Sequence, residues 1–200
     1  MLPWGAPEGM YGTFVATPVI KWDGLQVKCK DSQFHIYPPG PFVTHWLVTG
    51  TFPNPDHEGW NTTYPPETRA GCKSAKWRDA KADKTGLVNL CSLLEPNEWV
   101  VAYALSYVYS PDNRKVEMLF GSDDGAKLWV IDLLVISHKS PRSYRQDEDT
   151  VEVNLRKGWN KVLAKITQGL VDWGFGLRFW DPEGKLRYDT SPLEIRGAKS

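Results

Sequence analysis

Two hundred residues with 24 Lys plus Arg against 24 Asp plus Glu give a formal net charge of zero, so no basic excess supports counterion-driven binding to nucleic acid or to anionic lipid. A hydrophobic share of 41% is enough for a core, and the sequence offers no apolar run of membrane-spanning length, which excludes a disordered chain and a transmembrane helix. The unusual quantity is the aromatic load of 10 Trp, 8 Tyr and 7 Phe beside 15 Pro and 17 Gly, because indoles in this number need large apolar pockets or exposed stacking platforms.

The first residues, Met1-Leu-Pro-Trp-Gly-Ala-Pro, have neither the basic segment nor the apolar run of a secretory leader, so we read the chain as a piece of a larger exported protein, secreted or cell-surface in its parent. Gly24 to Tyr37 reads as a hairpin around Lys30-Asp31-Ser32, and Pro38-Pro39-Gly40 then breaks the chain. His45 to Thr51 forms a strand. Phe52 to Ala70 is a long segment rich in Pro and aromatics and without a secondary-structure pattern, expected to be functional or to cap one end of a sandwich. Trp99 to Tyr109 is apolar or aromatic at both odd and even positions, which predicts a central strand covered on both faces.

Period-2 alternation governs the second half. Val116, Met118 and Phe120 alternate with Lys115 and Glu117; Val151, Val153 and Leu155 with Glu152 and Asn154; Val162, Ala164 and Ile166 with Lys161, Leu163 and Lys165. Each predicts an antiparallel strand with one buried and one wetter face. The turn clusters Ser110-Pro-Asp-Asn, Arg156-Lys-Gly-Trp-Asn, Gln168-Gly and Asp181-Pro-Glu-Gly punctuate them. The expected fold is all-β, an antiparallel β-sandwich, as one domain over 1–200 in which 1–40 supplies N-terminal strands or an extension and 41–185 the core sandwich.

The three cysteines, Cys29, Cys72 and Cys91, have no CxxC spacing and allow at most one bridge or three reduced thiols. His35, His45, His57 and His138 include no pair at metal-ligand spacing. The sharpest local feature is Gly121-Ser122-Asp123-Asp124-Gly125. Adjacent carboxylates on a Gly-flanked turn can hold a hard cation such as calcium or accept from sugar hydroxyls; they can equally cap their own backbone amides. Ser137 to Asp149 reads as a polar end loop in which His138 or Arg142 can meet a ligand and Asp147-Glu148-Asp149 offers a second calcium site or a solvated charge run. Trp46, Trp99, Trp129 and Trp159 lie in or at the starts of strands and are assigned to the core. Trp60, Trp173 and Trp180 lie in or beside loops, where an indole face can stack on a pyranose; Trp60 with Tyr64, both on the long segment, are the preferred stacking pair.

The order Trp46-Leu-Val-Thr-Gly-Thr-Phe-Pro-Asn, Gly59-Trp-Asn-Thr-Thr-Tyr-Pro-Pro-Glu, Val100-Val-Ala-Tyr-Ala, Gly121-Ser-Asp-Asp-Gly-Ala-Lys-Leu-Trp-Val, Leu155-Arg-Lys-Gly-Trp-Asn-Lys-Val-Leu-Ala-Lys-Ile and Trp173-Gly-Phe-Gly-Leu-Arg resembles the galactose-binding-like β-sandwich modules over roughly 45–185. Those are jelly-roll accessory domains of bacterial polysaccharide-degrading proteins. The Ser-Asp-Asp-Gly turn is also similar to that of protective-antigen-type lectin domains, in which paired aspartates hold calcium and sugar. The sequence departs from the pattern at Trp129-Val-Ile-Asp-Leu-Leu-Val, where relatives tend to carry an Asn-Gly turn.

The resemblance implies a non-catalytic carbohydrate-binding module that targets a larger glycan-active enzyme to a polysaccharide or oligosaccharide. Its expected ligand contacts are Trp60, Tyr64, Asp123, Asp124, His138, Arg142 and Trp173, with calcium on Asp123 and Asp124. No GxSxG elbow, phosphate loop or Cys/His motif marks an enzyme. The alternatives are a structural or protein-interaction sandwich, in which the same aromatics are core, and a small glycan hydrolase or lyase.

Overall fold

The computed structural model describes the strand backbones at 19–22, 25–30 and 33–37 and all residues from 40 to 191. The chain divides into two units, Met1–Pro39 and Gly40–Ser200. In the first, β1 (Val19–Trp22), β2 (Leu25–Lys30) and β3 (Gln33–Tyr37) form an antiparallel sheet in that order, and Lys30 faces Gln33 across the expected hairpin. Trp4, and the side chains of Trp22, Cys29 and His35, lie outside the described residues.

The second unit is an antiparallel β-sandwich. One sheet contains β4 (His45–Pro53), β5 (Arg78–Lys81), β7 (Val100–Ser110), β9 (Ala126–Val130), β10 (Leu133–His138), β12 (Gly158–Gln168) and β14 (Arg187–Asp189). Its order is β10-β9-β12-β7-β4-β5, and β14 continues along β7 beyond the end of β4. The facing sheet, in the order β11-β8-β13-β6, contains β6 (Val88–Asn89), β8 (Arg114–Asp123), β11 (Asp149–Leu155) and β13 (Gly174–Phe179).

The alternating residues do what period 2 requires. Ala102, Ala104 and Val108 of β7, Val162, Ala164 and Ile166 of β12, and Val116, Met118 and Phe120 of β8 meet in one core with Trp46, whose ring stands edge-on to Phe175 at 4.9 Å. The departure at Ile131-Asp132 leaves the hairpin intact. The two residues join β9 to β10 with φ of 50° and 66°, the paired left-handed conformation that a two-residue connection demands and that Asn-Gly would adopt with less strain.

Both sheets also carry a cover on their outer face. Val101, Tyr103 and Leu105 of β7 with Leu163 of β12 pack beneath Phe52, Tyr64, Cys72 and Trp77. The segment expected to be structureless and to cap a sandwich end therefore lies over a sheet face instead, because β7 and β12 are apolar on that side too. It is built from short turns at Pro55–Trp60 and Pro65–Glu67 and from α1 (Arg69–Ser74). Prolines at the first positions preset φ for the turns, and the Thr68 hydroxyl accepts from the Gly71 amide at 3.0 Å to start the helix.

Beneath this cover Lys165, expected on a wetter face, has a side chain with 0% exposure. Its ammonium donates to the Thr62 carbonyl at 2.6 Å and to Glu67 Oε1 at 2.9 Å, and the Tyr103 hydroxyl donates to the same carboxylate oxygen at 2.5 Å. Burial pulls the Lys165 pKa down against the pull of Glu67, and burial together with Glu67 pushes that of Tyr103 up.

The second cover is the 139–148 stretch. Gly121 and Gly176 face each other across β8 and β13 and leave a floor without side chains. The Tyr144 ring and the Arg145 carbonyl lie on it so closely that a Cβ at Gly121 would stand 2.0 Å from that carbonyl oxygen. Arg142 pairs with Asp149 and Glu148, and Arg178 pairs with Asp147. The stretch is thus a strap fastened to the sheet, not a solvated end loop, and the carboxylates considered as a second calcium site are engaged by arginines.

Candidate functional site

The Ser122-Asp123-Asp124-Gly125 turn carries the chain from β8 of one sheet to β9 of the facing sheet at one end of the sandwich. The Ser122 hydroxyl donates to the Asp124 carbonyl at 2.9 Å. Asp123 accepts from the amides of Asp124 at 3.2 Å and Tyr144 at 3.1 Å, and Asp124 Oδ2 accepts from the Gly169 amide at 2.6 Å. The aspartates therefore cap backbone, yet a carboxylate has about four lone-pair sites, so each keeps acceptor capacity beyond these bonds. Burial pushes the Asp123 carboxyl up from the usual range and outweighs its two amide bonds; the charges of Asp124 and Asp172 act in the same direction. Gly125 has no room for a side chain, since a Cβ would stand 2.9 Å from both the His138 carbonyl oxygen and the Thr167 hydroxyl.

Further loops are tied to this turn. The Asn54 side chain donates to the Gln168 carbonyl at 2.9 Å and its amide to the Trp99 carbonyl at 2.8 Å, while the Trp99 amide donates to the Gly169 carbonyl at 2.9 Å. The His57 ring lies against Trp99 at 5.1 Å, and its Cε1 would be 3.2 Å from a Cβ at Gly169. Here Asp56, His57, Trp99 and Val171 have φ of 49°, 62°, 52° and 75°, a left-handed conformation that costs a non-glycine residue about 1–3 kcal/mol and that tends to persist at functional sites. Trp99, Leu170 and Val171 are 40%, 52% and 81% exposed.

The residues singled out in the sequence scatter around this end. Asp123 and Asp124 form its floor. The His138 carbonyl approaches Gly125 and accepts from the Trp60 indole at 3.0 Å. Trp60 is half-buried with Lys127 Nζ 3.9 Å from its ring centroid and Lys139 Nζ at 5.7 Å, so cations occupy the surface offered for a sugar. Tyr64 belongs to the cover of the larger sheet, where it stacks on Phe52 at 4.8 Å and donates to the Pro53 carbonyl. Arg142 is committed to the strap and to Ser122.

Trp173 is 2% exposed in the core, which corrects its assignment as a stacking surface; Trp180, at 8%, is buried too. The residues missed are His57, Leu170, Val171 and above all Trp99, which stands exposed where core was expected. Two signals were present: Trp99 directly follows the turn cluster Glu95-Pro-Asn-Glu, and Leu170-Val171 places two apolar residues inside a turn.

Calcium takes about six to eight oxygen ligands, and Asp123 and Asp124 are donors of the right kind. Among the described residues, no three His, Cys, Asp or Glu side chains gather around a point that could hold a metal, so any further oxygens would come from carbonyls or from ligand hydroxyls. At the opposite end of β8 a cavity of about 470 Å³ is lined by Asn113, Arg114, Lys115, Asn154, Leu155 and Arg156, with three cations and no carboxylate. No helix among the described residues is long and apolar enough to cross a membrane.

No protein-family model and no curated protein matches the chain. Among solved structures it is similar to the PA14 domain of the MpAFP antifreeze protein, at 13% identity and a TM-score of 0.42 over 82% of this chain and 98% of that one. It is also similar to the β-glucosidase from Kluyveromyces marxianus in complex with glucose, at 13% identity and a TM-score of 0.41 over 76% of this chain. The match spans 18% of that enzyme's chain.

Proposed function

We propose that this chain is a non-catalytic carbohydrate-binding domain whose ligand meets the Asp123–Asp124 end of the sandwich. The observation that carries the reading is the coincidence, at one loop end, of paired aspartates with spare acceptor capacity and a group of non-glycine residues held at positive φ. Sugar hydroxyls donate to such carboxylates, and calcium bridging the two aspartates to vicinal hydroxyls is a further part of the proposal. The domain would bring a larger, exported glycan-active protein to its polysaccharide.

Affinity electrophoresis through gels containing xyloglucan, galactomannan, arabinoxylan, mixed-linkage β-glucan or polygalacturonate tests the reading. At least one polysaccharide is expected to retard the chain, and Asp124→Asn, which keeps an acceptor for Gly169 but loses the charge, is expected to reduce that retardation. Repeating the gel with a chelator and then with added calcium tests the ion. Unretarded migration through every gel, as a structural spacer would show, overturns the proposal.

A further inference from the structure

We propose that Trp99 is the stacking platform of this end and that its ligand is an uncharged pyranose; the inference rests on the carbohydrate reading above and names the ligand class of the same site. Of the indoles near the Asp123–Asp124 turn, Trp60 has its N–H held by the His138 carbonyl and its ring flanked by the ammonium groups of Lys127 and Lys139. Trp99 is 40% exposed, rests on His57, and has both its backbone N–H and its carbonyl bound to neighbouring loops, so the ring is presented from a fixed base. The exposed apolar residues Leu170 and Val171 directly follow Gly169, to whose carbonyl the Trp99 amide donates. An exposed apolar patch on strained backbone is retained when a ligand uses it, and the CH face of a pyranose matches an indole flanked by aliphatic side chains.

The charge nearby selects the ligand. Asp124 Oδ2 accepts from the amide of Gly169, the residue whose carbonyl accepts from the Trp99 amide, so the paired aspartates of the turn lie next to the loop that holds the platform. A uronate or a sulfated sugar stacked on Trp99 would meet these carboxylates, while Lys127 and Lys139 lie against Trp60 and Arg114, Lys115 and Arg156 lie at the other terminus of β8.

The same gels test this directly with Trp99→Ala, Trp60→Ala and Val171→Gly, each checked for folding by circular dichroism. At least one neutral polysaccharide is expected to retard the wild type and Trp60→Ala alike, with about a tenfold weaker apparent affinity for Trp99→Ala and a smaller loss for Val171→Gly. Polygalacturonate is expected to leave the chain unretarded at low salt. Undiminished retardation of Trp99→Ala by a neutral polysaccharide overturns the platform and leaves the carbohydrate reading standing. Retardation by polygalacturonate alone overturns the ligand class, and the absence of retardation in any gel overturns both proposals.

Discussion

The two covers of the sandwich solve the same problem with opposite chemistry. Residues 53–77 lie on a face that β7 and β12 make apolar, so aromatic burial holds them, and one fully buried ammonium is enclosed where the cover closes over it. Residues 139–148 lie on a floor of paired glycines that offers little to bury, and they are fastened by arginine–carboxylate pairs. A sheet face with side chains attracts its cover; a bare face needs the cover to bring its own attachments.

The sharpest way to break the first arrangement is Glu67→Ala. It strands a buried lysine, and removing one partner of such a pair costs about 3 kcal/mol or more, to be read as a lowered urea midpoint. For the second, Gly121→Ala drives a Cβ into the Arg145 carbonyl; about 2 kcal/mol should be lost, with new tryptic cleavage at Arg142 or Arg145 while 53–77 stays protected. Tyr144→Phe should do the reverse and stabilise by about 1 kcal/mol, because the buried Tyr144 hydroxyl has no hydrogen-bond partner among the described residues.

The same variant has a pH signature. Burial pushes the Tyr144 phenol up to about 12 from 10.0, so above pH 10 the unfolded chain loses its proton first and stability falls until about 12. Denaturation midpoints of Tyr144→Phe should fall less steeply in that window. In the first cover the signs oppose each other. The depressed Lys165 favours folding as pH rises toward 10.5, and the raised Tyr103 disfavours it above 10.0. The smallest expected effect is that of salt: 1 M NaCl should raise cleavage of 139–148 a few-fold relative to 53–77, since its carboxylates remain partly exposed and Lys165 does not.

The strands were legible in the sequence because alternation is a local property, and β7, β8, β11 and β12 fall where the alternating runs lie. The covers were not. Lys165 reads as solvated from its neighbours alone, and what buries it arrives from Thr62 and Glu67, about a hundred residues away in sequence. The tryptophans fail for the same reason. Trp173 follows a turn and enters the core, its carbonyl accepting from the Leu90 amide, whereas Trp99 directly precedes β7 yet is exposed on a positive φ, with its backbone bonded to Asn54 and Gly169. At the candidate site the Asp-Asp turn was visible in the sequence; the indole beside it became visible only when three distant loops met.

The sharing of one edge of β7 by β4 and β14 has a kinetic consequence. Leu105 pairs with Leu47, Ala104 with Ala164 and Tyr107 with Asp189, so nearly every partner of the central strand is remote in the chain. Such contacts place a domain among slow folders, on the order of milliseconds to seconds, because loop-closure entropy is lost before the pairing is gained. Until β14 arrives, residues 107–109 present an open edge on that side, which is a site for mispairing between nascent copies. Refolding yield should therefore fall steeply with protein concentration, and more steeply still when residues 187–189 are replaced by prolines.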